Sequence, residues 1–263
     1  MRRLVIPFAY QERARRAPPL RRCRRAALML ALLAVSVQAG RAEENECRRP
    51  PRLSEGAPPT FGRVVAAERT AFVRDGLAQP GCPEAGARCR ERAYLVQGDP
   101  VLLGERRGAY LCVSYPSARS GLERTGWLPA AAVAADPSAP EPASGWFGTW
   151  KRAEAWIGIT AGKAAGALAI AGSATWGAGD PDRVRRGGIH TGEIEAEAAP
   201  AAGALSFAMG ESATLPVEKG DADDCKVWMR RVGPWLVVDD NLRCGGVNVS
   251  FRGVYGRDGG ARP

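Results

Sequence analysis

Residues 93–115 read Ala-Tyr-Leu-Val-Gln-Gly-Asp-Pro-Val-Leu-Leu-Gly-Glu-Arg-Arg-Gly-Ala-Tyr-Leu-Cys-Val-Ser-Tyr, and this stretch decides the class of fold. Its three apolar runs are separated by a Gly98-Asp99 turn and by a second turn between Gly104 and Gly108. Short apolar runs bounded by glycine, proline and aspartate indicate β-strands joined by tight turns. The stretch therefore predicts three consecutive strands.

The same pattern recurs along the rest of the chain, where no segment has a convincing helical period. Further strands are predicted over 156–160, 168–171, 205–207, 227–229, 235–238 and 247–251. Residues 161–171 are rich in alanine, but glycines interrupt the segment and favour a strand over a helix. Short strands at regular spacing with turn signals between them are typical of small barrels and sandwiches. The sequence thus predicts an all-β protein with a small barrel followed by a second β-barrel or β-sandwich domain.

The positive charge of the chain is concentrated at its start. Residues 1–39 contain nine arginines and one acidic residue, whereas the chain from Gly40 onward is nearly neutral. The arginines precede an apolar run at 26–37, and Ala39 offers a small residue for cleavage. This order is typical of a secretory signal peptide. We expect residues 1–39 to be removed, which leaves a periplasmic or secreted protein without a membrane anchor and argues against nucleic acid as a partner.

The cysteines after residue 39 are even in number, which in an exported chain indicates disulfides. They are Cys47, Cys82, Cys89, Cys112, Cys225 and Cys244. Cys82 and Cys89 bracket a short loop that contains proline and glycine, and Cys225 and Cys244 flank two predicted strands. These positions favour two local pairs.

Cys47 and Cys112 then remain for a third disulfide, which would attach the start of the mature chain to the first domain. A metal site is the weaker interpretation, because the chain has no C-x-x-C pair and His190 is its only histidine. We expect no metal and no cofactor.

Composition divides the chain into segments. They are a Pro-rich lead at 40–59, a first domain at 60–128, a Pro/Ala-rich linker at 129–145, a second domain at 146–257 and a tail at 258–263. The linker contains four prolines and no large aromatic residue, and this composition predicts a semi-rigid connection.

The run 93–115, together with Thr125-Gly-Trp-Leu-Pro129, resembles a bacterial Src-homology-3-type domain. In that family, aromatic side chains near the loops bind peptides or cell-wall components. The resemblance implies a binding role for Tyr110, Tyr115 and Trp127. Packing of Trp127 and Tyr110 in the core is the alternative.

Two further resemblances concern the second domain. Residues 239–255 resemble the C-terminal segment of uncharacterised exported proteobacterial proteins, which implies no activity. Gly148-Thr-Trp150 is similar to the Gly-x-Trp of lipocalins, in which the tryptophan closes one barrel end and a late-strand arginine covers it; Arg252 or Arg257 would be the counterpart. This likeness implies an eight-stranded barrel around one small apolar ligand, and a packed barrel without a cavity is the alternative.

The residues also indicate that the protein is not an enzyme. His190 lies in a glycine-rich turn context, no Gly-x-Ser-x-Gly elbow is present, and paired cysteines cannot act as thiolates. Two carboxylate groupings remain, Asp239 with Asp240 and the alternating glutamates of 193–197, and the latter are typical of the solvated face of an edge strand. Asp221-Ala-Asp-Asp224 lacks the spacing of a calcium-binding loop.

We therefore expect an exported, non-catalytic binding protein that recognises peptidoglycan, a protein or a peptide through its first domain. Two other functions stay open. The second domain would carry a small apolar ligand if it is a lipocalin-like barrel, and the export, size and disulfides also suit an inhibitor of a hydrolase.

Overall fold

The computed structural model describes residues 46–47, 52–54, 58–116, 123–136 and 143–259. The predicted signal peptide and most of the predicted tail lie outside the described residues. The strands form two antiparallel sheets, which confirms the all-β class. Within the described part, helical structure is limited to a short α-helix, α1 (Pro181–Arg185), and to 3-10 turns at Ala130–Ala132, Ala143–Trp146 and Val217–Lys219.

The first sheet, called the N-terminal sheet, contains seven strands. They are β1 (Thr60–Val64), β2 (Thr70–Val73), β3 (Arg90–Leu95), β4 (Pro100–Arg107), β5 (Tyr110–Pro116), β6 (Glu123–Pro129) and β7 (Val133–Ala135). Their order in space is β3-β2-β6-β5-β4-β1-β7, so β3 and β7 are the edge strands. The three strands predicted over 93–115 correspond to β3, β4 and β5. Alternate side chains bury one face, where Phe72, Val113 and Leu128 pack together.

Part of the segment predicted as a linker belongs to this sheet. β7 pairs with β1 in antiparallel register, with Val133 opposite Val64. The Pro/Ala-rich composition concealed this short strand, because alanine has a low strand propensity. Residues 137–142 of the predicted linker lie outside the described residues.

The second sheet, called the C-terminal sheet, contains nine strands. They are β8 (Gly148–Arg152), β9 (Ala155–Ala161), β10 (Leu168–Trp176), β11 (His190–Ala198), β12 (Ala204–Met209), β13 (Thr214–Leu215), β14 (Cys225–Val232), β15 (Trp235–Asp240) and β16 (Gly253–Arg257). Their order is β11-β10-β9-β8-β16-β15-β14-β12-β13. The backbone N–H of Glu197 on β11 donates to Thr214 Oγ1 on β13 over 3.2 Å, so the two ends of the sheet meet and the sheet is nearly closed.

Residues 247–251 are not a strand, contrary to the prediction. The chain turns here through Gly245 and Gly246, and Asn248 adopts a left-handed backbone conformation with φ of 67°. Val249 and Phe251 are nevertheless buried in the core. Their burial explains the apolar alternation, which arises from packing and not from pairing with a neighbouring strand.

The interior of the C-terminal sheet is filled with apolar side chains. Large residues without exposed area include Trp150, Ile157, Phe207 and Phe251. Smaller residues such as Ala174 complete the packing from β10. This filled interior favours the packed alternative over a barrel with a central ligand cavity.

The two sheets pack against each other through their outer faces. Phe61 and Leu102 of the N-terminal sheet form one buried cluster with Trp235, Val237 and Val254 of the C-terminal sheet. The rings of Phe61 and Trp235 meet edge to face, with centroids 5.6 Å apart. Residues 45–263 accordingly form one unit.

Three disulfides staple this unit. The pairs are Cys47–Cys112, Cys82–Cys89 and Cys225–Cys244, which are the pairs that the sequence favoured. Three disulfides fit a protein of an oxidising compartment. In the part of the chain that the structure describes, no helix has the length and apolar character needed to cross a bilayer.

Candidate functional site

Trp127 lies in a buried cluster on the outer face of the N-terminal sheet. It stands opposite Cys112 in the β5–β6 register. The Cys47–Cys112 and Cys82–Cys89 disulfides cover this face, and Trp127 has no exposed area. Its indole therefore packs beneath the disulfides and offers no surface to a ligand, in contrast to the binding role that the resemblance implied.

Tyr110 and Tyr115 are both half-buried, but they do not share a site. They stand five residues apart on β5 and so project from opposite faces of the strand, about 17 Å apart along it. Tyr110 packs beside the disulfide cluster, and Tyr115 packs against the interior of the sheet. The three aromatic residues predicted to bind a ligand are not brought together.

Part of the outer face of the N-terminal sheet remains exposed. The C-terminal sheet covers β1 and β4 around Phe61 and Leu102, and the disulfide cluster covers β2 and β6. The edge strand β3 instead presents Arg90, Arg92 and Tyr94, all exposed and all on one face because they alternate along the strand.

This face, called the arginine–tyrosine face, is defined by Arg69, Arg90, Arg92 and Tyr94. The side chain of Tyr94 is 45% exposed, and the guanidinium carbon of Arg69 lies 4.5 Å from its ring centroid. Among the described residues, none of the three arginines has an acidic partner within ion-pair distance. Glu91, on the opposite side of β3, pairs instead with Arg124. The face is therefore cationic and open to solvent.

Its chemistry suits carboxylate groups. A guanidinium binds a carboxylate through two parallel hydrogen bonds, and stacking on an aromatic ring orients the guanidinium plane. The sequence signal for this face was the alternation Arg90-Glu-Arg-Ala-Tyr94. Charged residues on a strand usually mark a solvated face, so this alternation alone does not indicate a binding site.

The C-terminal sheet is closed at one end by Trp150. Its indole Nε1 donates to the carbonyl of Trp146 over 2.9 Å. Arg231 and Arg257 lie over the ring, with guanidinium carbons 4.5 Å and 4.8 Å from the centroid. Arg257 is one of the two arginines that the lipocalin likeness named, whereas Arg231 belongs to no motif. The closure is a packed one, because Trp150 is fully buried.

Arg252, the other named arginine, binds Asp239 of β15, to which Ser54 of the lead segment also donates. Its Nε donates to Asp239 Oδ1 over 2.6 Å, and Ser54 donates to Asp239 Oδ2 from its backbone N–H and its hydroxyl over 3.2 Å and 2.7 Å. Burial acts to raise the pKa of Asp239, but the hydrogen bonds from Ser54 and the charge of Arg252 outweigh it, so the pKa lies below its ordinary value. Asp240 is equally engaged, since it accepts from Ser250 and from the backbone of Phe251.

Glu123 of β6 is a carboxyl at the contact between the two sheets, beside the backbone of Val254 and near Arg152. Burial raises its pKa above the ordinary value for glutamate. Hydrogen bonds from Ser114, Thr125 and the backbone of Val254, together with the charge of Arg152, act in the opposite direction and are weaker. The ionised form is therefore disfavoured by its surroundings in the folded protein.

The remaining polar candidates of the sequence are engaged in local contacts. His190 Nδ1 lies 2.5 Å from the carbonyl oxygen of Val247, and Asp224 Oδ2 accepts from the backbone of Asp221 over 2.8 Å. The described residues contain no group of three or more His, Cys, Asp or Glu side chains that could hold a metal ion.

The chain matches no family model, and it matches neither a curated protein nor a solved structure.

Proposed function

We propose that this protein is an exported, non-catalytic binding protein that recognises a cell-wall or protein ligand through its N-terminal sheet. In this proposal residues 1–39 are a cleaved signal peptide, the mature protein is periplasmic or secreted, and the N-terminal sheet is a Src-homology-3-type domain. The observation that carries the proposal is the arginine–tyrosine face, which is the uncovered part of the outer face of that sheet.

The spacing of this face suits an extended ligand. Arg90 and Arg92 are two residues apart on one face of β3, which separates their Cα atoms by about 7 Å. Alternate side chains of an extended peptide repeat at the same distance. A peptide that carries carboxylates at this spacing would meet one guanidinium with each, and Tyr94 would contact its apolar parts. Peptides of the cell wall and acidic segments of proteins both offer such carboxylates.

The position of β3 adds a second means of recognition. Among the described strands β3 pairs with β2 alone, so one of its sides is left unpaired there. Extended peptides bind such edges through backbone hydrogen bonds, and the side chains on the adjacent face then select the sequence. The unpaired edge and the cationic face lie on the same strand, so one peptide would use both.

A sedimentation assay with purified cell-wall sacculi tests the proposal. The mature protein is expected to sediment with sacculi, and the Arg90→Ala/Arg92→Ala double variant is expected to lose most of this binding. Both side chains are exposed, so the fold should not change, which far-UV circular dichroism checks. Arg186→Ala is the control, because it removes an exposed arginine from the turn after α1, outside the N-terminal sheet, and should bind like the wild type.

Binding that is equal in the wild type and the double variant would overturn the role of the arginine–tyrosine face. If the wild type does not sediment with sacculi, the same variants are to be compared on a synthetic acidic peptide, acetyl-Glu-Ala-Glu-Ala-Glu-amide. Failure to bind either probe would contradict the proposed function.

A further inference from the structure

The C-terminal sheet carries a groove on its outer face, remote from the arginine–tyrosine face. A cavity of about 820 Å³ lies against β9, β10 and β11 and is bounded by the turn of residues 210–213. The described structure places none of the groups of the proposed N-terminal site in it. The groove therefore requires an explanation of its own.

The strand registers give the floor and the walls of this groove, and on each of the three strands they extend it by one outward residue beyond the cavity lining. β10 runs along the middle and contributes only small outward side chains, Ala169, Ala171 and Ser173. On one side, Glu193 lies opposite Ser173 and Glu195 lies opposite Ala171. On the other side, residue 156 lies opposite Ser173. The two flanking strands are about 10 Å apart, so the small residues form a trough the width of one extended chain.

An exposed aromatic side chain stands at the end of the trough next to Ser173, just beyond the cavity lining. Trp156 is 44% exposed, although tryptophan is usually well buried. Its ring lies over Gly158, with Cζ3 3.5 Å from the position that a Cβ would occupy there. Because Gly158 has no side chain, no side chain at this position separates the face of the Trp156 ring from the trough.

The charge of the groove is negative. Glu193 and Glu195 are exposed and, within the described residues, accept no hydrogen bond and form no ion pair. Glu211 adds a third carboxylate from the turn, and Lys163 is the single basic residue of the lining. Glu197 differs from the other two glutamates of β11, because the backbone N–H groups of Lys163 and Ala164 donate to it over 2.9 Å each. Glu195 of the cavity lining and Glu193, the next outward residue of β11 beyond that lining, are therefore left for a ligand.

We propose that this groove binds an extended segment of a partner protein that carries lysine or arginine at alternate positions. Basic side chains two residues apart would lie about 7 Å apart and so match Glu193 and Glu195. A third cation would contact the face of Trp156, which attracts cations through its ring quadrupole. The trough of small residues leaves room for the backbone of the segment.

Isothermal titration with acetyl-Lys-Ala-Lys-Ala-Lys-amide tests this proposal on the mature protein. We expect saturable binding that weakens as sodium chloride is raised, because the attraction is between charges near the surface. Glu193→Gln/Glu195→Gln should weaken the binding by about tenfold, as expected for two partly exposed ion pairs. Glu218→Gln is the matched control, since it removes one exposed carboxylate outside the groove and should leave the affinity unchanged.

A second titration, with a β-1,4-linked trimer of N-acetylglucosamine, distinguishes a basic peptide from a glycan. The groove is a glycan site, and the proposal is overturned, if three results are found together. These are that the trimer binds, that Trp156→Ala abolishes its binding, and that Glu193→Gln/Glu195→Gln leaves its binding unchanged. The proposal also fails if the lysine peptide does not bind, or if it binds the glutamine variant as well as the wild type. None of these results bears on the arginine–tyrosine face, which lies on the other sheet.

Discussion

Replacing Phe61 by alanine is expected to destabilise both sheets, although Phe61 belongs to only one of them. Phe61 is 5% exposed and packs on Trp235 and Val237 across the contact between the sheets. Removal of a buried phenylalanine side chain costs about 3–5 kcal/mol. Gly233 packs so closely on Phe61 that a Cβ there would lie 2.6 Å from the ring, and a glycine has no side chain that could fill the cavity left by the ring. We therefore expect a loss of about 4 kcal/mol in the free energy of unfolding.

For a unit of this size, each kcal/mol lowers the melting temperature by about 2–4 °C, which gives a fall of about 8–16 °C. Tryptophan fluorescence is the decisive assay, because six of the seven tryptophans lie in the C-terminal sheet or beside it. The fluorescence midpoint and the far-UV circular dichroism midpoint should fall together. Phe147→Ala is the matched control, because Phe147 is 38% exposed and its loss should cost less than about 1 kcal/mol. A fluorescence midpoint that stays at the wild-type value would refute the coupling between the sheets.

Three other predictions concern a disulfide, the buried carboxyl of Glu123 and the filled interior of the C-terminal sheet. Replacing Cys47 and Cys112 by alanine opens a loop of 65 residues and should cost about 4 kcal/mol, measured by guanidinium unfolding; a loss below about 1 kcal/mol would contradict the expected tether. Because the pKa of Glu123 is raised in the folded state, the wild type should lose stability as the pH rises from about 4.3 through that raised pKa. In unfolding measurements from pH 3.5 to 8, the stability of Glu123→Gln should not show this decline. If the stabilities of the variant and the wild type change with pH in parallel, the expected role of Glu123 is contradicted. Titration with a fluorescent fatty acid should give no saturable signal, since the interior of the C-terminal sheet is filled, and tight one-site binding would restore the carrier function.

The strands and disulfides were predictable because local patterns determine them. Turn residues at Gly98 and Gly108 adopt positive φ and separate β3, β4 and β5 as the sequence indicated. The cysteine pairs followed from spacing, since two of them close short loops. The strand predicted at 247–251 failed because apolar alternation reports burial, and here burial occurs without a partner strand.

The candidate site was less predictable because it depends on what covers each face of a sheet. The Gly126-Trp127 pair suggests an exposed aromatic only if the outer face of β6 is free, and two disulfides cover that face. Phe61 and Val237 point outward from their own strands, so no periodicity in either domain shows that they meet. The arginine–tyrosine face was visible as alternation, but its exposure depended on these same long-range contacts.

The most direct test of the proposed function is a map of the ligand on the folded protein. Backbone amide resonances of the mature protein would be followed by NMR while a soluble muropeptide from purified cell wall is added. The proposal predicts that the largest shifts fall on Arg90–Leu95 and on the neighbouring strand Thr70–Val73. Shifts confined to the C-terminal sheet, or no shifts at a concentration at which the protein sediments with sacculi, would contradict it.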